Sequence, residues 1–257
     1  MTLFRESWYL MGRLLIILLR QPWYVALTLI QPIIWLVLYG QLFRRVVELP
    51  GFRSSSYIDF LTPGIVIMSA LFSSGWTGMG VINDLDRGVM DRFLISPVQR
   101  TAIILSRLMN LSVITIVQSL ILFGLGAILG ARYPGGPIGL FVLLLAAILL
   151  SMPFGALSIA MSLTVRKEES VIGAVNFVLL PLTFTSPVFM AATLMPGWMR
   201  TVAHFNPVNW AVEAGRGALQ ATASPGAILL RVGLLAALTI ASGWIATRAF
   251  RSYQQSA

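Results

Sequence analysis

The sequence predicts an all-α integral membrane protein with six transmembrane helices. Three observations carry that expectation. The 257-residue chain is 57% hydrophobic and only 11% charged, against about 25% charged in a soluble domain. Its mean hydropathy is +0.85. The apolar residues also fall into runs long enough to cross a bilayer, for which about 20 residues suffice. These runs leave no length for a separate soluble catalytic domain.

Residues 1–22 are expected to form an amphipathic helix lying in the membrane interface. At helical spacing Arg5, Glu6, Arg13 and Arg20 share one arc, and the rest of the face is Leu, Ile, Trp, Tyr and Met. Pro22 ends this helix. No A-x-A-like cleavage site follows, so the segment is read as retained rather than as a signal peptide. Spans are expected at 25–43, 60–82, 108–129, 138–165, 171–192 and 227–246, with Pro32, Pro153, Pro181 and Pro187 inside three of them. Proline is tolerable there where neighbouring helices satisfy the backbone it frees. Ala70, Ser74 and Gly78, and likewise Gly126 and Gly130, recur every four residues and mark faces of close helix packing.

An even number of spans puts both termini on one side. The larger share of the 18 Lys and Arg residues lies on that side, which assigns it to the cytoplasm. The segment DLDRGVMDRFLISPVQR, from Asp84 to Arg100, is then cytoplasmic, as is RKEES at Arg166–Ser170. Asp84 can cap a helix with Asp86 in its first turn, and Pro97 would stop it. Leu85, Val89, Phe93 and Leu94 gather near one face, while Asp86, Arg87, Asp91 and Arg92 occupy the rest. Two readings fit: a solvated surface helix, or a docking helix whose Phe and Arg anchors enter a groove on a partner.

At the opposite side, residues 193–226 are too broken by Pro196, Gly197 and Pro207 for one span and too apolar for an ordinary loop. Short helices re-entering the outer leaflet would fit, with Trp198, Phe205 and Trp210 at the headgroup level. Glu213 and Arg216 are three apart and expected to pair.

The residues also exclude chemistry. No G-x-x-x-x-G-K-[ST] run is present, and the sole lysine, Lys167, stands in VRKEES, so the chain has no cradle for nucleotide phosphates. H-E-x-x-H and G-x-S-x-G are absent as well. With no cysteine there is no thiolate metal site and no Cys nucleophile. The single histidine, His204, reads as an interfacial or packed residue. The net charge of +9 is assigned to Arg facing anionic lipid rather than to nucleic acid. No carboxylate falls in the middle of an expected span, which argues against ion coupling. No polar stripe beyond scattered Ser and Thr suggests a pore. No catalytic, cofactor-binding or metal-binding residue is therefore assigned.

YIDFLTPGIVIMSALF at the second span, FLISPV after the charged segment and LLPLTFTSPVFMAATLMPGWMRTVAHFNPVNW near the end resemble the type-2 ABC-exporter permeases. The similarity covers nearly the whole chain and is to the daunorubicin-resistance-type branch, with nodulation-type lipo-oligosaccharide exporters as relatives. It implies a single permease domain over 1–257, set in a prokaryotic inner membrane with both termini cytoplasmic. It further implies a coupling helix at 84–95, with Asp84, Asp86, Arg87, Asp91, Arg92 and Phe93 docking a P-loop ATPase. Two permeases, as a homodimer, would pair with two ATPase subunits, which bind the ATP and Mg. An outer gate would include Phe205, Asn206, Pro207 and Trp210, passing a hydrophobic or amphipathic substrate such as a drug, lipid or glycolipid. An ion-coupled secondary carrier and a non-transporting membrane scaffold are the competing readings. A lipid-modifying enzyme lacks any catalytic cluster.

Overall fold

The computed structural model describes residues 3–20, 22–49, 52, 54, 56–89 and 100–255. Every regular element among them is helical. Helix α1 is Leu3–Arg20 and α2 is Pro22–Ile34, which continues through a π-helical stretch, Trp35–Tyr39, into a last turn at Gly40–Leu42. Helix α3 is Tyr57–Gly75, joined by the 3₁₀ turn Trp76–Gly78 to α4, Met79–Asp86. Then come α5 (Arg100–Ile128), α6 (Gly136–Val165) and α7 (Glu168–Phe184). Two short helices, α8 (Gly197–Phe205) and α9 (Pro207–Leu219), precede α10 (Pro225–Gln255).

Among the described residues four stretches are long and apolar enough to cross a membrane: Tyr57–Asp86, Thr101–Ile128, Gly136–Val165 and Pro225–Trp244. They correspond to the second, third, fourth and sixth expected spans. The region of the first is a shorter apolar helix, Ala26–Leu42. The fifth, expected to reach residue 192, stops at Phe184, because Thr185–Val188 turns instead. The third begins at Arg100, earlier than expected, since the charge of Arg107 is matched within the bundle.

Helix α3 is the hub. Leu61, Ile65, Ile67 and Leu71 are fully buried there, and α3 packs on α2, α5, α6, α7 and α9. The small-residue face does what its spacing promised: Ala70, Ser74 and Gly78 are buried. A Cβ at Gly78 would collide with Ser162 Oγ and lie 2.5 Å from the Ser158 carbonyl. Gly126 is likewise pressed against Tyr133 and Thr62. Gly130 is different: nothing lies near its missing Cβ, and its φ of +96° shows that it is there for the turn after α5, not for packing.

Each proline inside a helix removes one N–H, leaving the carbonyl four residues earlier without its helical donor. Two of these carbonyls are served by side chains from other elements. Pro63 deprives Asp59, whose carbonyl accepts from Gln220 Nε2 at 3.3 Å. Pro153 deprives Leu149, whose carbonyl shares the Thr239 Oγ1 hydrogen with the Leu235 carbonyl, each at 2.9 Å. The 3₁₀ break between α3 and α4 is mended in the same way. Ser158 Oγ on α6 donates to the Gly75 carbonyl at 2.5 Å and accepts from the Gly78 N–H at 3.1 Å. Within an apolar bundle such repairs replace the water a soluble helix would use.

Candidate functional site

The residues singled out by sequence collect at the two ends of the bundle. At one end, α4 carries Asp84 in its last turn, and Arg87 caps the helix. Asp84 is thus not the N-cap that its sequence suggested, because α4 continues from α3 and no new helix starts there. Its carboxylate instead pairs with Arg107 of α5, and Arg107 also donates to the Gly80 carbonyl at 3.3 Å. Arg107 is buried, so this ion pair fixes the end of α4 to α5. Removing one partner of a buried pair exposes the other as an unmatched charge. Asp86 and Arg87 are exposed just beyond this anchor, and Gly88 follows with φ of +64°. Asp91, Arg92 and Phe93 lie outside the described residues.

Helix α1 lies against α5 at this same end. Ser7 and Met11 are buried, whereas Trp8, Tyr9, Ile16 and Leu19 are exposed along with Arg5, Arg13 and Arg20. The Arg5 guanidinium sits 5.9 Å from the centre of the Tyr9 ring. An exposed surface that mixes Arg with Trp, Tyr and Ile fits an interfacial position.

At the opposite end α9 is held by an inward-facing polar set. Asn206 caps it, with Oδ1 accepting from the Val208 N–H at 2.9 Å, and Pro207 takes the first helical position. Asn206 Nδ2 also donates to the Leu182 carbonyl at 2.6 Å and to Thr185 Oγ1 at 3.1 Å, which closes the end of α7. Trp210 Nε1 donates to the His204 carbonyl at 2.8 Å and so links α9 back to α8. Phe205 is 73% exposed. Of the four expected gate residues, then, Asn206, Pro207 and Trp210 shape the α7–α8–α9 corner, and Phe205 is the one presented outward.

The expected Glu213–Arg216 pair is not formed. Glu213 meets Arg231 of α10 at 2.5 Å. Arg216 turns inward: Nε donates to the Phe60 carbonyl at 3.1 Å, and a second nitrogen donates to the Pro187 and Val188 carbonyls at 2.9 and 3.4 Å. Its guanidinium carbon lies 3.5 Å from the centre of the Phe60 ring. Burial, opposed by the charge of Glu213, lowers its pKa to about 9, so it is still a cation at neutral pH. One side chain therefore ties α9 to α3 and to the turn after α7. Gly64 allows that turn its position, since a Cβ there would lie 2.6 Å from the Val188 carbonyl. Asp59, buried beside Gln220's contact, accepts from the Arg132 N–H at 2.8 Å.

Sequence reasoning missed Arg107, Gln220 and Asp59, and gave Arg216 the wrong partner. It also missed a polar group between helices. Ser73 Oγ donates to Gln118 Oε1 at 2.7 Å, and Gln118 Nε2 donates to Thr28 Oγ1 at 2.9 Å, linking α3, α5 and α2. These residues looked scattered because each helix contributes one or two. No group of His, Asp and Glu that could hold a metal occurs among the described residues.

Residues 5–219 match the ABC-2 type transporter family. The transport permease ycf38 of Cyanophora paradoxa is 28% identical over 210 residues, covering 81% of this chain and 72% of that protein. The daunorubicin resistance ABC transporter permease protein DrrB1 of Streptomyces coeruleorubidus is 29% identical over 196 residues, 76% of this chain and 68% of that one. The inner membrane transport permease YadH of Escherichia coli strain K12 is 27% identical over 217 residues, with 74% of each chain covered.

Proposed function

The chain belongs to the ABC-2 type transporter family, and on that premise we propose that it is the membrane-spanning half of an ATP-driven exporter. Its cargo is a hydrophobic or amphipathic molecule such as a drug, lipid or glycolipid. The observation that carries this reading is the family match itself, which runs from the first turns of α1 to the end of α9. The naming of DrrB1 for daunorubicin resistance supports an apolar, drug-like cargo.

In this reading α2 and its continuation, α3–α4, α5, α6, α7 and α10 make six crossings of a prokaryotic inner membrane. The Asp84 end and both termini face the cytoplasm. The segment 84–95 is the coupling helix, and the pairing of Asp84 with the buried Arg107 supports that role: a push on the segment is passed into α5 rather than absorbed at a loose joint. ATP and Mg bind to a separate P-loop ATPase, in two copies, beneath a permease homodimer. The α8–α9 corner, with exposed Phe205, borders the exit.

Gentle purification of the tagged protein from native membranes, with mass spectrometry of what accompanies it, tests the reading. A stoichiometric P-loop ATPase is expected, and it should be lost when Asp86, Arg87 and Arg92 are reversed in charge. Recovery of no ATPase, under conditions that hold a known ABC complex together, would favour a carrier or scaffold instead.

A further inference from the structure

Beneath α1 lies a cavity of about 280 Å³, walled by α1, α2, the α3–α4 junction and α5. Its lining is graded along α5: Arg107 and Asn110 come first, then Leu111 and Ile114. Asn83 of α4 joins the polar residues, and Leu14 and Ile17 of α1 join the apolar ones. Further along, Gln118, Ser73 and Thr28 are bonded to one another. Arg107 is the buried charge of this lining, at 7% exposure. Its Nη2 makes both of its bonds, to the Asp84 carboxylate and the Gly80 carbonyl. Nε and Nη1 make none, yet neither is sealed away from open space, so both keep access to the hollows that the guanidinium borders. Gly80 makes room for this, since a Cβ there would lie 2.8 Å from Nη1.

The open atoms are mostly donors. The amide nitrogens of Asn83 and Asn110 line the cavity with no hydrogen-bond partner among the described residues, as does Trp76 Nε1. Asn83 Oδ1 is the one free amide acceptor there, because Asn110 Oδ1 is shut off from open space and Gln118 Oε1 is engaged. Thr77 Oγ1 donates to the Ser73 carbonyl at 3.4 Å. No carboxylate lines the cavity. Asp84 stands in an adjoining hollow, which it shares with Arg13 and Arg107, so that corner holds two guanidinium groups to one carboxylate. A cation would be repelled here, and a neutral ligand would leave the remaining fork of Arg107 without a charged acceptor. An anion with an apolar tail meets both parts of the lining. In a bilayer that description fits a lipid phosphate, and basic pockets between membrane helices bind such headgroups. A zwitterionic headgroup fits less well, since its ammonium finds no carboxylate in the lining.

We propose that this cavity binds the phosphate of an anionic phospholipid through Arg107, Asn83 and Asn110, with α1 as its outer wall and an acyl chain against Leu14, Leu111 and Ile114. The site goes beyond the export reading and does not depend on it. The same donors would accept a phosphate ester from solution, so the source is either the membrane or water.

The test uses the full chain in phosphatidylcholine nanodiscs doped with a lipid that carries a diazirine in one acyl chain. Phosphatidylglycerol and phosphatidylcholine versions of this probe are compared. Crosslinks in peptides carrying Leu14–Leu18 and Asn110–Ile114 are read relative to those around Phe177, which is 81% exposed. The phosphatidylglycerol probe is expected to label the two peptides about tenfold more than the phosphatidylcholine probe, the worth of one hydrogen bond to a charged group. Asn83→Leu with Asn110→Leu removes two donors and is expected to abolish that preference. Arg107 stays in place, because its loss would also free Asp84. Ile114→Trp fills the apolar part and keeps every donor, and is expected to reduce the labelling to the Phe177 level. Label that persists in excess inorganic phosphate, at constant ionic strength, supports a membrane source, and label displaced by it supports a soluble one. Equal labelling by the two probes in wild type, or a phosphatidylglycerol preference that survives in both variants, overturns the site.

Discussion

Replacing Arg216 with methionine tests whether the corner between α3, α7 and α9 is held by one side chain. Methionine keeps an unbranched apolar stem but removes every donor. Two bonds are well made, to the Phe60 carbonyl at 3.1 Å and the Pro187 carbonyl at 2.9 Å, and a third, to Val188 at 3.4 Å, is long. Hydrogen bonds to a charged group are worth about 1.5–3 kcal/mol each, so the two good ones give about 3–6 kcal/mol. The guanidinium over the Phe60 ring, at 3.5 Å, adds about 0.5–2 kcal/mol. Against this, methionine is relieved of the several kcal/mol that it takes to strip water from a cation. The balance is a loss of about 3 kcal/mol. Unfolding free energy in mixed dodecylmaltoside–SDS micelles, followed by circular dichroism, measures it, and amide exchange around Val188–Met190 should rise at the same time. Arg216→Lys keeps the charge but not the planar fork that spans both carbonyls, and should recover less than half the loss. A loss below about 1 kcal/mol for Arg216→Met would refute the reasoning. It would mean that these carbonyls have other donors once the guanidinium is gone.

Three further outcomes follow from the same geometry. Thr239→Val removes the donor to the Leu149 carbonyl freed by Pro153 and should lower stability by about 1 kcal/mol. In a Pro153→Ala background, where the helical N–H returns, the same substitution should cost less, as a double-mutant cycle in micelles would read. Gly78→Ala should destabilise by about 1–3 kcal/mol because Ser158 and Ser162 of α6 already occupy the space; thermal melting of the purified protein checks it. Arg107→Leu should cost about 1–3 kcal/mol by leaving the half-buried Asp84 without its partner, and Arg107→Leu with Asp84→Asn should regain part of that. Equal losses in the single and double variants would show that the pair is not coupled.

What the sequence made legible was whatever depends on composition and near-neighbour spacing. The runs that became α3, α5, α6 and α10 are long and apolar enough to be recognised with no tertiary information. The Ala70–Ser74–Gly78 face needed only the helical repeat. The break between α8 and α9 was signalled by Pro207, which takes the first position of α9. Where spacing had two solutions, the local one was the wrong choice. Glu213 and Arg216 are near neighbours, yet each found a partner on another element, because the guanidinium has three carbonyls to serve and Arg231 is free to meet the carboxylate. Asp84 looked like a helix start because an apolar run ends just before it. The 3₁₀ turn repaired by Ser158 lets the helix continue past that point.

The prolines show why the rest was hidden. From sequence alone Pro63 and Pro153 mark only where a carbonyl loses its donor. The replacements, Gln220 for Asp59 and Thr239 for Leu149, stand 161 and 90 residues away, beyond any local pattern. In water such a carbonyl would be solvated and no partner would be required. In hydrocarbon it must be met by protein, and at Pro63 and Pro153 a polar side chain on another element sits opposite it.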